Sequence, residues 1–444
     1  MKSSCYLKAF PPDGKSNRYL LFSQAKGSLL RIDAKCYESL QNGTLAPSEA
    51  AVLARLGMLV HDPEDEKRAM PGLLDRINAR NTALHLIVVL NLDCNLACVY
   101  CYEEGMKGRH YMSRQTGERL TDFIEARLKE GKKDLRIDFY GGEPLLSVPR
   151  IKQIAKRAGA CAKAAGATFS FSLVTNGSLL KRPLAEELVG LGLENARITL
   201  DGPAELHDRT RPYKAGGGSF AQIIANIQET WDLVRISIGG NYEKHTYKKF
   251  APLLDYLGQA GLTPDRIAAI KFDPVMKLPE SGIGLPDYKG GCVSLSEPWL
   301  IEADALLREE ILKRGYRTQK VRPVTCMVDL KDSYVVHYNG SLYKCPAFIG
   351  RKGFEAGDLE RGLSDYSTAY HLGHWKNAKG AECTYLPLCF GGCRYISFIR
   401  EGKIGALDCR KAYLDAALET LVKQDAKYAA VFKKQGCKDP SAGR

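Results

Sequence analysis

The stretch L-H-L-I-V-V-L-N-L (Leu84 to Leu92), followed after one residue by C-N-L-A-C-V-Y-C (Cys94 to Cys101), decides how the chain is read. An apolar run of strand length delivers three thiolates, Cys94, Cys98 and Cys101, in a C-x3-C-x2-C loop. Three ligands is the informative count. A structural zinc site closes its tetrahedron with a fourth protein ligand, and the usual ferredoxin clusters use four cysteines. A compact loop with three points to a four-iron cluster with one iron left open for a small molecule. A zinc knuckle or a set of inert buried thiols is the alternative.

Outward from this loop, strands and helices alternate, the pattern of a parallel sheet or barrel. Strands are expected at Leu84–Leu92, Leu135–Tyr140, Phe169–Val174, Arg197–Leu200, Val234–Ile238 and Ala268–Phe272. In such barrels chemistry collects at the carboxyl ends of the strands, and distinctive residues fall there. The second strand ends in Gly141, Gly142, Glu143 and Pro144, where paired glycines permit close backbone approach and a carboxylate can accept from an ammonium group. The third ends in Thr175, Asn176 and Gly177, and the fourth runs through Asp201 into H-D-R-T-R, ending at Arg211.

These elements, in this order, resemble the radical S-adenosylmethionine enzymes, in which an aromatic residue precedes the last loop cysteine, as Tyr100 does here. The resemblance implies a [4Fe-4S] cluster on Cys94, Cys98 and Cys101. Its open iron would bind the amino and carboxylate groups of S-adenosylmethionine, whose reductive cleavage gives a 5'-deoxyadenosyl radical. It further implies that Gly141 to Pro144 meet the cofactor amine. Thr175 and Asn176 would face its ribose, and the Arg211 fork would pair with its carboxylate. Tyr100 and Asp201 complete the expected cofactor site; the catalytic acid or base is unassigned.

A second group of cysteines lies in the last third: Cys326, Cys345, Cys383, Cys389, Cys393 and Cys409, with an N-G turn at Asn339-Gly340 between the first two. This resembles the SPASM extension of peptide- and protein-modifying radical enzymes, which implies one or two auxiliary [4Fe-4S] clusters. Cys326, Cys345 and Cys393 would serve one, and Cys383, Cys389 and Cys409 the other. A zinc ribbon is the alternative. The chain departs from the pattern in two ways: Gly380 stands where a cysteine is expected, and the first set needs a fourth ligand, for which Cys292 is a candidate. Cys5, Cys36, Cys161 and Cys437 belong to no motif.

The first 62 residues read as a small module. Strands at Arg18–Ser23 and Ser28–Ile32 flank a Lys26-Gly27 turn, two helices begin near Asp33 and Ser48, and Met58–Val60 returns as a strand. This winged-helix-like order resembles the peptide-recognition elements of peptide-modifying radical enzymes, which add a leader peptide to a sheet edge. The expected organisation is a recognition element at 1–62, a helical linker at 63–83, a partial (β/α)6 barrel at 84–300 and a cluster domain at 301–444, an α/β protein.

Lys and Arg number 64 against 51 Asp and Glu, a net charge of +13, which favours an anionic partner without choosing a peptide over a nucleic acid. No apolar run approaches a membrane span and the N-terminus lacks a signal region, so a cytoplasmic protein is expected. Fourteen cysteines in such a chain argue for metal ligation rather than disulfides. The implied function is maturation of a ribosomally made precursor peptide carrying a leader, with a flavodoxin- or ferredoxin-like reductant. A thioether is the first expected product and a carbon–carbon crosslink the next. Formylglycine formation is disfavoured because Pro346 follows Cys345, where sulfatase maturases carry an aspartate. A non-catalytic metal-binding nucleic-acid protein is the reading from another class, and the ordered cofactor motifs count against it.

Overall fold

In the computed structural model, which describes residues 1–434 apart from 13, 15, 16, 277–296 and 377, the N-terminal module is built on two small sheets. β1 (Lys2–Ser3), β2 (Leu7–Phe10), β3 (Arg18–Ser23), β4 (Ser28–Asp33) and β5 (Leu59–Val60) pair antiparallel as β2-β3-β4 and β1-β5. Asp33 caps α1 (Ala34–Asn42) by accepting from the Cys36 amide, and α2 (Pro47–Arg55) starts at its proline, which has no N–H to leave unpaired. Neither β1 nor β2 was expected from the sequence. Both are short, and β1 pairs with a partner 56 to 58 residues away.

The module is not a detachable cap. Phe10, Leu20 and Phe22 share one buried cluster with Tyr385, Leu388, Leu414, Leu418 and Val422, so its sheet packs on the C-terminal region and the long helix Lys411–Lys434. α3 (Pro63–Ala69) and α4 (Leu73–Arg80) connect it to the main domain.

Six parallel strands follow: β6 (Ala83–Val89), β7 (Asp134–Tyr140), β8 (Thr168–Thr175), β9 (Leu193–Thr199), β10 (Arg235–Tyr242) and β11 (Ile267–Pro274). Their sequence order is their order in space. β7 shows why they form: Leu135, Ile137 and Phe139 alternate into the core under α5 (Arg114–Lys129) and α6 (Val148–Ala164). β11 pairs only with β10, so the arc stays open as expected.

At the other end β6 pairs parallel with β12 (Ser333–Val336), which begins an antiparallel run through β13 (Ser341–Tyr343), β14 (Gly357–Asp358) and β15 (Gly362–Leu363). The hairpin between Cys326 and Cys345 therefore joins the main sheet, and β14 and β15 beyond it bring the total to ten strands. A helix, Pro298–Lys313, runs across position 300 and packs on both β11 and the long C-terminal helix. Cys292 and Cys437 lie outside the described residues. No described helix is long and apolar enough to cross a membrane.

Candidate functional site

The carboxyl ends of β6 to β11 open into a cavity of about 450 Å³. Cys94, Cys98 and Cys101 line one wall, Gly141, Gly142, Thr175 and Asn176 another, and Arg211, Gly240 and Asn241 a third. The rest includes Pro346, Ala347 and Tyr395, so residues beside Cys345 and Cys393 also face the space.

Backbone pairing places the cysteine loop. Leu96 bridges antiparallel to Tyr213, and the Ala97 and Val99 amides donate to the Pro212 and Thr210 carbonyls at 2.8 and 3.0 Å. This short ladder carries Arg211 to the loop, where its guanidinium feels the Cys98 thiol. On the other side the Gly142 and Glu143 amides donate to the Asn91 and Asp93 carbonyls at 3.1 and 2.8 Å. A Cβ at Gly141 would stand 2.5 Å from the Asn91 oxygen, and one at Gly142 2.3 Å from the Asp93 oxygen. Only glycines allow β7 to deliver its loop so closely onto the loop after β6.

Two side-chain roles differ from the sequence expectation. The Glu143 carboxylate does not line the cavity. It is fully buried and accepts from the Leu145 amide (3.0 Å), the Thr175 hydroxyl (2.7 Å) and the Asn176 amide (2.8 Å). It therefore braces the β7 loop against the β8 loop, and Pro144 behind it is likewise buried away from the cavity. Thr175 and Asn176 line the space, but their side chains are committed within the loops. The Thr175 hydroxyl accepts from the Gly177 amide, and the Asn176 amide donates to Asn95 at 2.8 Å and approaches the Cys94 sulfur at 3.9 Å. Sequence motifs identify which loops meet, not which atoms are spent holding them together. Glu143→Gln is expected to destabilise the fold by about 1–3 kcal/mol, because an NH2 group must then face a donor; chemical denaturation measures it.

A buried polar network runs from the cysteine loop itself into the rest of the lining. Arg211 Nη1 donates to the Tyr100 hydroxyl at 2.7 Å, Tyr100 donates to Asp201, and Asp201 Oδ1 accepts from the Asn241 amide at 2.8 Å. Burial raises the Asp201 carboxyl, and the nearby Arg211 charge opposes that rise. Asn241 was not singled out from sequence, although Gly239-Gly240-Asn241 repeats at β10 the Gly-Gly-polar ending of β7. A Cβ at Gly240 would lie 2.4 Å from the Leu200 oxygen.

His207 holds this network from behind. Its Nδ1 accepts from the Asp201 amide at 3.1 Å, so Nε2 carries the proton and donates to Ser219 Oγ at 3.0 Å, which donates in turn to the Arg211 carbonyl at 2.8 Å. Burial pushes the ring down to about 3, and it stays neutral. Because the unfolded chain binds this proton below about pH 6.5, the stabilisation is complete above that pH and is lost as pH falls toward 3. The thermal midpoint of the wild type should fall more steeply through this window than that of His207→Gln.

Glu103 and the Tyr102–Tyr140 hydroxyl pair (2.6 Å) complete the cavity beside the cysteines; burial pushes the Glu103 carboxyl up to about 7. Sequence reading passed over these residues because isolated acids and tyrosines carry no spacing signal.

The six C-terminal cysteines fall into two groups. Cys345 feels Cys326 and Cys393, while Cys389 feels Cys383 and Cys409. Buried Arg394, next to Cys393, makes a bidentate pair with Asp329 (2.7 and 3.0 Å), which ties that cysteine to the loop after Cys326. Among the described residues no three His, Cys, Asp or Glu side chains close to the spacing of a single metal ion.

The cavity suits a cluster with S-adenosylmethionine in its donor chemistry. Three thiols share one wall, and Arg211 Nε and Glu103 Oε1 are buried without a hydrogen-bond partner. An added ligand would satisfy such atoms.

Residues 88–242 match the Radical SAM superfamily. Among curated proteins, an uncharacterised protein of Methanocaldococcus jannaschii is 31% identical over 132 residues, covering 30% of this chain and 43% of its own. The serine-type anaerobic sulfatase-maturating enzyme of Klebsiella pneumoniae is 32% identical over 143 residues, 30% of this chain and 34% of that one. The first curated relatives are spanned over only 43% to 58% of their length. The structure of native anSMEcpe with bound AdoMet and Cp18Cys peptide superposes with a TM-score of 0.61 at 16% identity, covering 80% of this chain and 99% of that one. Streptococcus suis SuiB bound to precursor peptide SuiA gives 0.53 at 14% identity, covering 92% and 98%.

Proposed function

We infer from the radical SAM match over residues 88–242, and from a fold shared with peptide-bound radical SAM enzymes, that the chain acts on a peptide. We propose that it is a peptide maturase which forms a thioether in a ribosomally made precursor bound through its leader. The observation that carries this reading is the shared cavity. The radical-SAM-type cysteine loop and residues beside Cys345 and Cys393 line one space of about 450 Å³.

Bound there, S-adenosylmethionine and its cluster supply a hydrogen-abstracting radical. Cys94, Cys98 and Cys101 are the ligands of that cluster, and Arg211, oriented by Tyr100 and by the His207–Ser219 relay, holds the cofactor carboxylate. Gly141 and Gly142 let the backbone approach the cofactor amine. The Tyr102–Tyr140 pair walls the cavity beside the cysteines, which limits water there. Thioether formation joins sulfur to carbon: the carbon-bound hydrogen leaves as an atom to the abstracting radical, the thiol hydrogen leaves as a proton to solvent, and the one remaining electron would pass to an auxiliary cluster. In this reading Cys326, Cys345 and Cys393 hold an auxiliary cluster near the substrate, and Cys383, Cys389 and Cys409 a second. The leader adds to a sheet edge of the β2-β3-β4 module.

The sulfatase-maturase likeness favours a second reading, formylglycine formation, but Pro346 occupies the cavity wall where that chemistry by resemblance needs a carboxylate. Anaerobic co-expression with the short reading frame neighbouring this chain's own tests the proposal. The expected peptide is lighter by two hydrogens, with one cysteine no longer alkylated by iodoacetamide. The same mass loss with every cysteine alkylated would mean a carbon–carbon crosslink, and an unchanged mass would contradict maturation of that peptide.

A further inference from the structure

The group formed by Cys383, Cys389 and Cys409 is one donor short, and the fold shows why position 380 cannot supply it. A Cβ on Gly380 would stand 2.0 Å from the Trp375 carbonyl oxygen and 2.9 Å from its carbon, so no side chain fits there. A fourth donor has to reach the group from another element.

The N-terminal module reaches it. The Ser4 hydroxyl donates to both Glu66 carboxylate oxygens at 2.9 Å, and the Cys5 amide and thiol donate to Oε2 at 3.0 and 3.2 Å, which pins this segment to α3. Tyr6 follows with its backbone fixed: its amide donates to Ser4 Oγ at 3.1 Å, and its carbonyl accepts from the Gln24 amide and side chain at 3.0 and 3.2 Å. Its ring is driven into a buried cluster with Met70, Leu74, Trp375, Leu386 and Phe390.

The end of that ring is anomalous. Tyr6 is 1% exposed, yet its hydroxyl makes no hydrogen bond of normal geometry. Burial and the neighbouring Cys5 and Cys383 thiols all push its proton loss to higher pH. Leaving such a group unpaired in a core is destabilising, and phenylalanine would fill the same space without that penalty. The Trp375 indole N–H, in the same cluster and fully buried, is also without a partner. Two orphaned donors thus adjoin the segment that carries the three cysteines. The Cys5 thiol is already committed to Glu66, whereas the Tyr6 oxygen meets only that thiol and forms no hydrogen bond of normal geometry.

We propose that the phenol oxygen of Tyr6 is the fourth donor of an iron–sulfur site built by Cys383, Cys389 and Cys409, an inference that rests on the auxiliary-cluster reading above. Coordination releases the phenol proton to solvent, since iron binds the deprotonated ligand; phenolate is an established iron donor in haem proteins. The site then spans two regions of the chain. Tyr6 lies immediately before β2, an edge strand of the three-stranded sheet.

The test uses full-length protein reconstituted anaerobically with Cys94, Cys98 and Cys101 all replaced by alanine, so that only auxiliary iron remains. Tyr6→Phe in this background removes a single oxygen. Expected are loss of phenolate ring bands from the resonance Raman spectrum and a shift in midpoint potential and g values of one of two auxiliary signals. Cys5→Ser should leave both signals in place. Identical spectra and potentials with and without the Tyr6 oxygen would overturn the assignment, as would a shift in Cys5→Ser alone. Replacing Cys383, Cys389 and Cys409 separates the deeper failure: iron content should drop by about four atoms, and an unchanged content would remove the auxiliary cluster itself.

Discussion

Replacing Cys94, Cys98 and Cys101 together is expected to abolish cleavage of S-adenosylmethionine and to lower the iron content of the reconstituted protein by about four atoms, leaving about eight. Among the described residues only the loop's thiols share the cavity with the β7 and β8 loops and Arg211, whereas the six C-terminal cysteines form two other groups. Loss of turnover with retention of the remaining iron would separate the cofactor site from the auxiliary sites. The loop itself is held by backbone pairing to residues 210–214 rather than by its sulfurs, so the variant is expected to fold. Anaerobic iron analysis beside circular dichroism reads both. A residual content near four would leave one auxiliary cluster, and stoichiometric zinc would replace the cluster reading with a ribbon.

The second large effect belongs to Arg211. Arg211 is 8% exposed, and its guanidinium is bonded to Tyr100 and electrostatically joined to buried Asp201. Arg211→Ala strips the cation whose charge acts most strongly on the Asp201 carboxyl, and a buried carboxylate left without its charge partner costs about 3–5 kcal/mol. It should also remove the cofactor-carboxylate contact, so S-adenosylmethionine affinity, measured by equilibrium dialysis, should fall at least tenfold. Arg211→Lys keeps the charge and loses the fork, and should recover stability more fully than affinity. Equal affinities for wild type and Arg211→Ala would move the carboxylate site elsewhere.

What could be read in the sequence was the local part. The β6 run and its cysteine loop, the Gly-Gly turn after β7 and the alternation of strands and helices each have a spacing signal within a few residues, and the structure assembles them at one end of one sheet. What could not be read depends on contacts distant in the chain. β12 docks beside β6 across about 250 residues of sequence, and nothing in S-Y-V-V announces that partner. The Glu143 carboxylate looked free to bind an ammonium group. Its three donors come from its own turn and from the β8 loop, and only folding brings the latter within reach. His207 was visible within H-D-R-T-R but not its task, because its partners Asp201 and Ser219 lie six and twelve residues away and meet it only after the chain turns. Gly380 looked like a missing ligand, and in space it is a position without room for any side chain.

Reductive cleavage of S-adenosylmethionine in the cavity at the strand ends is the chemistry on which every other assignment depends. The direct measurement is chromatography of an anaerobic reaction holding reconstituted wild-type protein, dithionite and S-adenosylmethionine. The account predicts 5'-deoxyadenosine and methionine in equal amounts, with neither formed by Cys98→Ala. Protein carrying its full complement of iron that yields no 5'-deoxyadenosine, or a Cys98→Ala variant that still yields it, would contradict the account.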